Sequence, residues 1–202
     1  MGAIEILMSE HRTIERAIDA LTAFADEILR GSDDRAELGR FVTFIREFAD
    51  ECHHGKEEGI LFQAMVDAGF PREGGPIAVM LMEHDMGRAH VKELARLAGQ
   101  GEPWSAGDRE KIADEAIGYG NLLRAHIHKE DAILYPMAEQ RLSPDVLARV
   151  DEACEAYERQ KTGAGGHEKL HALAEELAAR HAPGLASGGA PHLAVHQGHG
   201  CC

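Results

Sequence analysis

Two stretches of this 202-residue chain repeat one pattern: HHGKEEGILF at 53–62 and HIHKEDAILY at 126–135. The first holds two overlapping His-x-x-x-Glu pairs, His53/Glu57 and His54/Glu58; the second holds His126/Glu130. Imidazole and carboxylate four residues apart project from one face of a helix, close enough to share a metal ion or to bind adjacent ones. Such donors suit iron, manganese or zinc rather than copper(I), which favours sulfur. A glutamate on a buried face must be paired, neutralised or metal-bound, because an isolated buried carboxylate is too costly.

The elements that must position these donors are helices. Apolar residues recur at spacings of three and four throughout, with no sustained period-2 alternation. The spacing predicts long helices over about 3–30, 34–68, 76–98 and 106–140, separated by Gly- and Pro-rich punctuation such as GFPREGGP and GQGEP. Ser143 reads as an N-cap with Pro144 at the first helical position of a fifth helix, and TGAGG precedes a sixth over about 166–181. The expected fold is all-α: an up-down-up-down four-helix bundle over residues 1–140 and a helical extension over 141–181 packed on it. A flexible Gly/Ala/Pro-rich tail over 182–202 follows, carrying His192, His196, His199, Cys201 and Cys202.

A helix advances about 100° per residue, so each histidine can be placed against its own apolar stripe. In the first helix His11 lies in mid-stripe between Leu7 and Ile14. In the second, the stripe of Leu38, Phe41, Ile45, Phe48, Cys52 and Ile60 lies about 60° from His53 and about 160° from His54, which makes His53 and Glu57 the inward pair. His84 sits among Met80, Leu81 and Val91 in the third helix, with His90 opposite; His126 and Glu130 face inward in the fourth, with His128 and Asp131 turned away. Each long helix thus brings one histidine to the seam. A lone buried histidine is ordinarily only a satisfied core residue, but four of them with two glutamates, and few inward Lys or Arg, call for a dication or a pair of them.

Composition narrows the partners. A formal charge of −14 disfavours nucleic acid and anionic lipid, and the longest apolar run, PIAVMLM at 76–82, is far short of a membrane span. The opening residues show no secretory signal, and four cysteines without Cys-x-x-Cys spacing make no disulfide framework, so a cytoplasmic setting is expected. Cys52 reads as core packing.

The ordered set EHR, HHGKEEGILF, MEHDMGR and HIHKEDAILYP, over about residues 3–140, resembles the bacterial hemerythrin-like (HHE cation-binding) family. The resemblance implies a four-helix bundle around an oxo- or hydroxo-bridged centre of two iron ions, manganese or zinc being possible substitutes. It implies His11, His53, His84 and His126 as terminal ligands and Glu57 and Glu130 as bridging ones. It further implies a small ligand (dioxygen, nitric oxide or peroxide) bound for oxygen, redox or iron sensing, storage or detoxification. Two departures stand out. Invertebrate oxygen carriers of this kind have His-x-x-x-His on the third helix, where this chain has Arg88, and end in His-x-x-x-x-Asp, where it has His-x-x-x-Glu. In a relative with fewer histidines the position of His54 holds a ligand, so His54 is an additional candidate if its helix is distorted. Glu83 is a weaker candidate, fitting a supporting or surface role. Arg88 fits either a counter-ion to a bridging glutamate or anionic ligand, or a side chain extended to the bundle end.

Three rival readings remain. HEKLH at 167–171 matches the zinc-protease pattern, but only 31 residues follow it and no third ligand is evident; a packed helix explains it better. A ferritin-like site needs paired inward Glu-x-x-His motifs, which the chain lacks. A metal-responsive regulatory or structural module without catalysis stays open.

Overall fold

The computed structural model describes residues 2–163 and 165–181. All secondary structure among them is helical, in six helices. Helix α1 is Ala3–Leu29, α3 is Gly75–Ala98, α5 is Pro144–Thr162 and α6 is Gly166–Arg180. Helices α2 (35–67) and α4 (106–141) are composite. In α2, α-helical Arg35–Phe44 and Phe62–Asp67 flank π-helical Ile45–His54 and Glu57–Leu61; in α4, π-helical Glu130–Leu134 separates Ala106–Lys129 from Tyr135–Arg141. The tail with His192, His196, His199, Cys201 and Cys202 lies outside the described residues.

Local chemistry sets the ends. Asp34 accepts from the Glu37 N–H to open α2, Ser105 and Asp108 exchange side-chain and backbone hydrogen bonds to open α4, and Ser143 caps α5 with Pro144 in the first turn. The expected boundaries hold to within two residues, but regular α-geometry through 45–61 does not. π-Turns bond i to i+5, which widens the turn and changes which side chains share a face. In α4 the wide turns sit immediately before Pro136, which has no N–H to bond residue 132 and whose ring would crowd that carbonyl in a regular α-helix.

The helices pack through paired positions. Asp19 meets Arg124 at 2.6 Å between α1 and α4, and His90 meets Glu115 at 2.6 Å between α3 and α4. Arg35 of α2 donates to the carbonyls of Gln100, Gly101 and Glu102 just past α3. Helix α6 is held to α1 by Arg16–Glu175 and to α2 by Arg40–Glu176, and beyond its end His181 bonds Glu27 and Glu37 while resting on Phe24 and Phe41.

The apolar core is in two parts. One gathers Ile14, Ile18, Phe24, Phe41, Phe48, Val91, Trp104, Tyr119 and Ile127; the other gathers Leu7, Leu61, Phe62, Met80, Leu134, Tyr135 and Val150. On every long helix the residues between the two parts include a candidate donor: His11 between Leu7 and Ile14, His84 between Met80 and Val91. Sealed between two apolar layers, those donors sit where charge is expensive to leave uncompensated.

Candidate metal centre

The structure brings His11, His53, His84, His126, Glu57 and Glu130 together, each no more than 1% exposed. They form two groups of donor atoms that share Glu57: His11, His53, Glu57 and Glu130 in one, and His54, Glu57, His84 and His126 in the other, all atoms of a group lying within 4.8 Å of one another. Each glutamate faces a histidine from either group. Glu57 Oε2 is 3.6 Å from His53 Nε2 and 3.5 Å from His84 Nε2; Glu130 Oε2 is 3.3 Å from His11 Nε2 and 3.2 Å from His126 Nε2. A carboxylate that reaches both groups has the placement of a bridge.

His54 corrects the angular argument. Counting 100° per residue turns it outward, yet it is 5% exposed, stacked on His84 at 3.8 Å between ring centroids. The physical reason is the π-helical run Ile45–His54, whose wide turns allow two consecutive histidines to enter the same layer. The regular remainder behaves as the count requires: His128 is exposed and His90 pairs with Glu115 away from the donors.

All five histidines have the Nδ1 atom on a carboxylate. His11 meets Asp131 at 2.7 Å, His53 meets Glu10 at 2.8 Å, His54 meets Asp50 at 3.3 Å, His84 meets Glu58 at 2.7 Å and His126 meets Glu83 at 2.9 Å. Histidines that ligate metals almost always carry such a partner, which fixes the tautomer and leaves Nε2 free for the ion. A cation then holds each carboxylate: Arg12 on Asp131, Lys56 on Glu10, Arg88 on both Asp50 and Glu58, and Lys129 on Glu83. Arg88 thus pairs with Asp50 and Glu58 and not with a bridging glutamate. Asp131 and Glu58, which the angular count turned away, face the histidines of neighbouring helices instead.

The carboxylates at the centre are only partly satisfied by protein groups. Glu57 Oε2 and both oxygens of Glu130 are buried and make no hydrogen bond, although buried polar atoms normally find one. Burial, and then the nearby Glu130, push the Glu57 carboxyl well up; Glu130 is opposed by burial but held well down by the imidazoles of His11 and His126 beside it. Burial pushes His53 down to about 4, and burial with His84 alongside holds His54 well below the ordinary imidazole value, which favours the neutral form a metal requires. Five imidazoles and two carboxylates exceed what a single tetrahedral ion can use and suit a pair of ions.

Residues 2–138 match the model of the hemerythrin HHE cation-binding domain. The chain belongs to this family. It is also similar to uncharacterized proteins of Mycobacterium tuberculosis and Mycobacterium bovis, 23% identical over 172 residues that make up 83% of this chain and 66% of each relative. The chain thus spans just under two thirds of the length of these curated relatives.

Against the hemerythrin pattern, the histidine missing where Arg88 stands is offset in number by His54, which reaches the layer from α2. Tyr135 was not singled out by motif reading. Its hydroxyl donates to Glu57 Oε1 at 2.6 Å and lies 3.4 Å from His11 Nε2, with its ring stacked against His11. Of the orienting carboxylates the sequence pointed only to Glu83 in a supporting role, although others also leave a signal: Glu10, like Glu83, precedes a histidine, and Glu58 and Asp131 each follow a central glutamate. Glu168 and His171 of HEKLH enter no metal-binding group among the described residues, and His167 enters one without them.

Proposed function

We propose that this chain is a non-haem di-iron protein that binds dioxygen or a related small ligand, nitric oxide or peroxide, in sensing, storage or detoxification. The observation that carries the reading is the double donor group sharing Glu57, in which every histidine is oriented by a carboxylate and three of the four central carboxylate oxygens have no hydrogen-bond partner. One ion would be held by His11 and His53, the other by His54, His84 and His126, with Glu57 and Glu130 reaching both. Manganese or zinc would find the same donors.

When bound, iron supplies redox-active positions for a diatomic or peroxide ligand. The protein's own residues supply the rest. The two apolar layers exclude water, the five carboxylates hold each Nδ1 proton and so aim each Nε2 inward, and Tyr135 holds a proton at Glu57 Oε1. The side with only two histidines has the smaller donor set and is the natural place for the external ligand. The four long helices read as an up-down-up-down bundle over residues 1–140, supported by pairings such as Asp19–Arg124 and Arg12–Asp131, with 141–181 as an extension. No helix of the described residues is long and apolar enough to cross a membrane; together with the charge of −14 this supports a cytoplasmic protein that binds neither membrane nor nucleic acid.

The deciding experiment is metal content together with the visible spectrum of aerobically purified protein. About two irons per chain, with near-ultraviolet bands that respond to azide or peroxide, is the expected result. Iron that does not respond to either ligand would favour a metal-responsive module without ligand chemistry. One zinc per chain with no visible absorption would sink the di-iron reading.

A further inference from the structure

Beside the centre, Glu10, Cys52, Glu158 and His167 converge in a third group of possible metal donors. Its position is already taken by a cation. The Lys56 ammonium pairs with Glu10 and lies 3.2 Å from Glu158 Oε2. What the group forms instead is a line of contacts running from the last two helices to the centre. His167 at the start of α6 is 3.2 Å from Glu158 of α5, Glu158 meets Lys56 of α2, Lys56 meets Glu10 of α1, and Glu10 holds His53 Nδ1 at 2.8 Å.

The other half of the molecule provides the comparison. Lys129 stands three residues after His126 as Lys56 does after His53, and it pairs with Glu83, which holds His126. The Lys129 side chain is 33% exposed, whereas that of Lys56 is 1% exposed. Helices α5 and α6, which lie beyond the 2–138 family match, make the difference. A second contact fixes them to the same segment: the Tyr157 hydroxyl donates to the Glu51 carbonyl at 2.9 Å, so close to Gly55 that a Cβ there would meet Tyr157 Oη at 2.1 Å. Water can replace Lys129 as a partner of Glu83. It cannot readily replace Lys56, so loss of that ammonium leaves a buried carboxylate uncompensated next to a ligand histidine.

We propose that the C-terminal helix pair sets the orientation of His53 through the Glu158–Lys56–Glu10 relay, so that the metal position on the His11/His53 side is tuned by the extension while the other is not. Lys56 and Glu158 act as positioning residues. This rests on the metal-centre reading above, and the test keeps the two apart.

The measurement is made on the metal-free full chain with the ring nitrogens of histidine labelled, following the Nδ1 protons by NMR, and then by titrating in zinc. Lys56→Met is expected to lose the His53 Nδ1 proton while the other four histidines are retained, and to weaken one of two zinc sites about 10- to 100-fold. Lys56→Arg is expected to restore both, and Lys129→Met to leave His53 untouched. Glu158→Gln, on a partly exposed side chain and so safe for folding, is expected to shift the same His53 proton by a smaller amount. An unchanged His53 proton in Lys56→Met or in Glu158→Gln overturns the relay, as does equal disturbance of all five histidines. If the parent chain binds no metal, the reading of the centre fails, while the His53 proton still decides the relay.

Discussion

Helices α1 and α2 and helices α3 and α4 build the centre by the same device. In each half a glutamate just before one histidine, Glu10 or Glu83, orients the histidine of the next helix, His53 or His126; the residue after the central glutamate, Glu58 or Asp131, orients a histidine across the halves, His84 or His11. A lysine three residues after the oriented histidine completes both copies. The halves differ in two respects. The first alone carries a second inward histidine, His54, and it alone has its lysine buried under helices α5 and α6. A repeated donor set does not make equivalent surroundings: what lies outside the set decides how far each copy is covered.

The largest expected effect removes a ligand from either half. His53→Ala or His126→Ala should abolish stoichiometric metal by elemental analysis, whereas His90→Ala and His128→Ala should not. His54→Ala separates the halves: if it sits in the three-histidine group, it should lower occupancy on that side alone, leaving about one ion per chain. Full occupancy in that variant would remove His54 from the ligand set and make the two copies alike.

A second effect tests the cover over the first half. Gly55→Ala drives a Cβ into Tyr157 Oη and should cost about 1–3 kcal/mol in a denaturant titration, with α5 displaced. Gly59, four residues on, is exposed and meets nothing within 4 Å. Gly59→Ala should therefore be neutral or stabilise by about 0.5–1 kcal/mol, the smallest change expected here. Equal losses at both glycines would mean that strain in the wide turns, not the extension, governs this segment.

Between these falls a pH effect at the far end of the same cover. Burial opposes ionisation of Glu37, but the hydrogen bond to His181 and then those of Arg40 outweigh it and lower its carboxyl below the usual 4.5. A carboxyl depressed in the folded state adds stability that is complete above the unfolded value and is lost as pH falls through the folded one. Melting temperature should thus drop on acidification below about 4.5, and Glu37→Gln should lower it at pH 7 while flattening that drop. An unaltered acid slope in the variant would remove Glu37 from the clasp that closes α6 onto α1 and α2.

Much of this was legible in the amino acids. The three- and four-residue spacing reports which face of a regular helix is buried, so the helical class, the boundaries of the six helices and the inward positions of His11, His84, His126 and Glu130 follow from the chain alone. Where the backbone leaves α-geometry the same arithmetic fails, which is why His54 entered the centre against its count. Contacts between helices have no spacing to read. That Glu10 would meet His53, that Asp131 would meet His11 and that a lysine near residue 56 would vanish beneath α5 depend on which helices lie side by side. A carboxylate chooses its partner by distance in space, and only tertiary packing sets that distance.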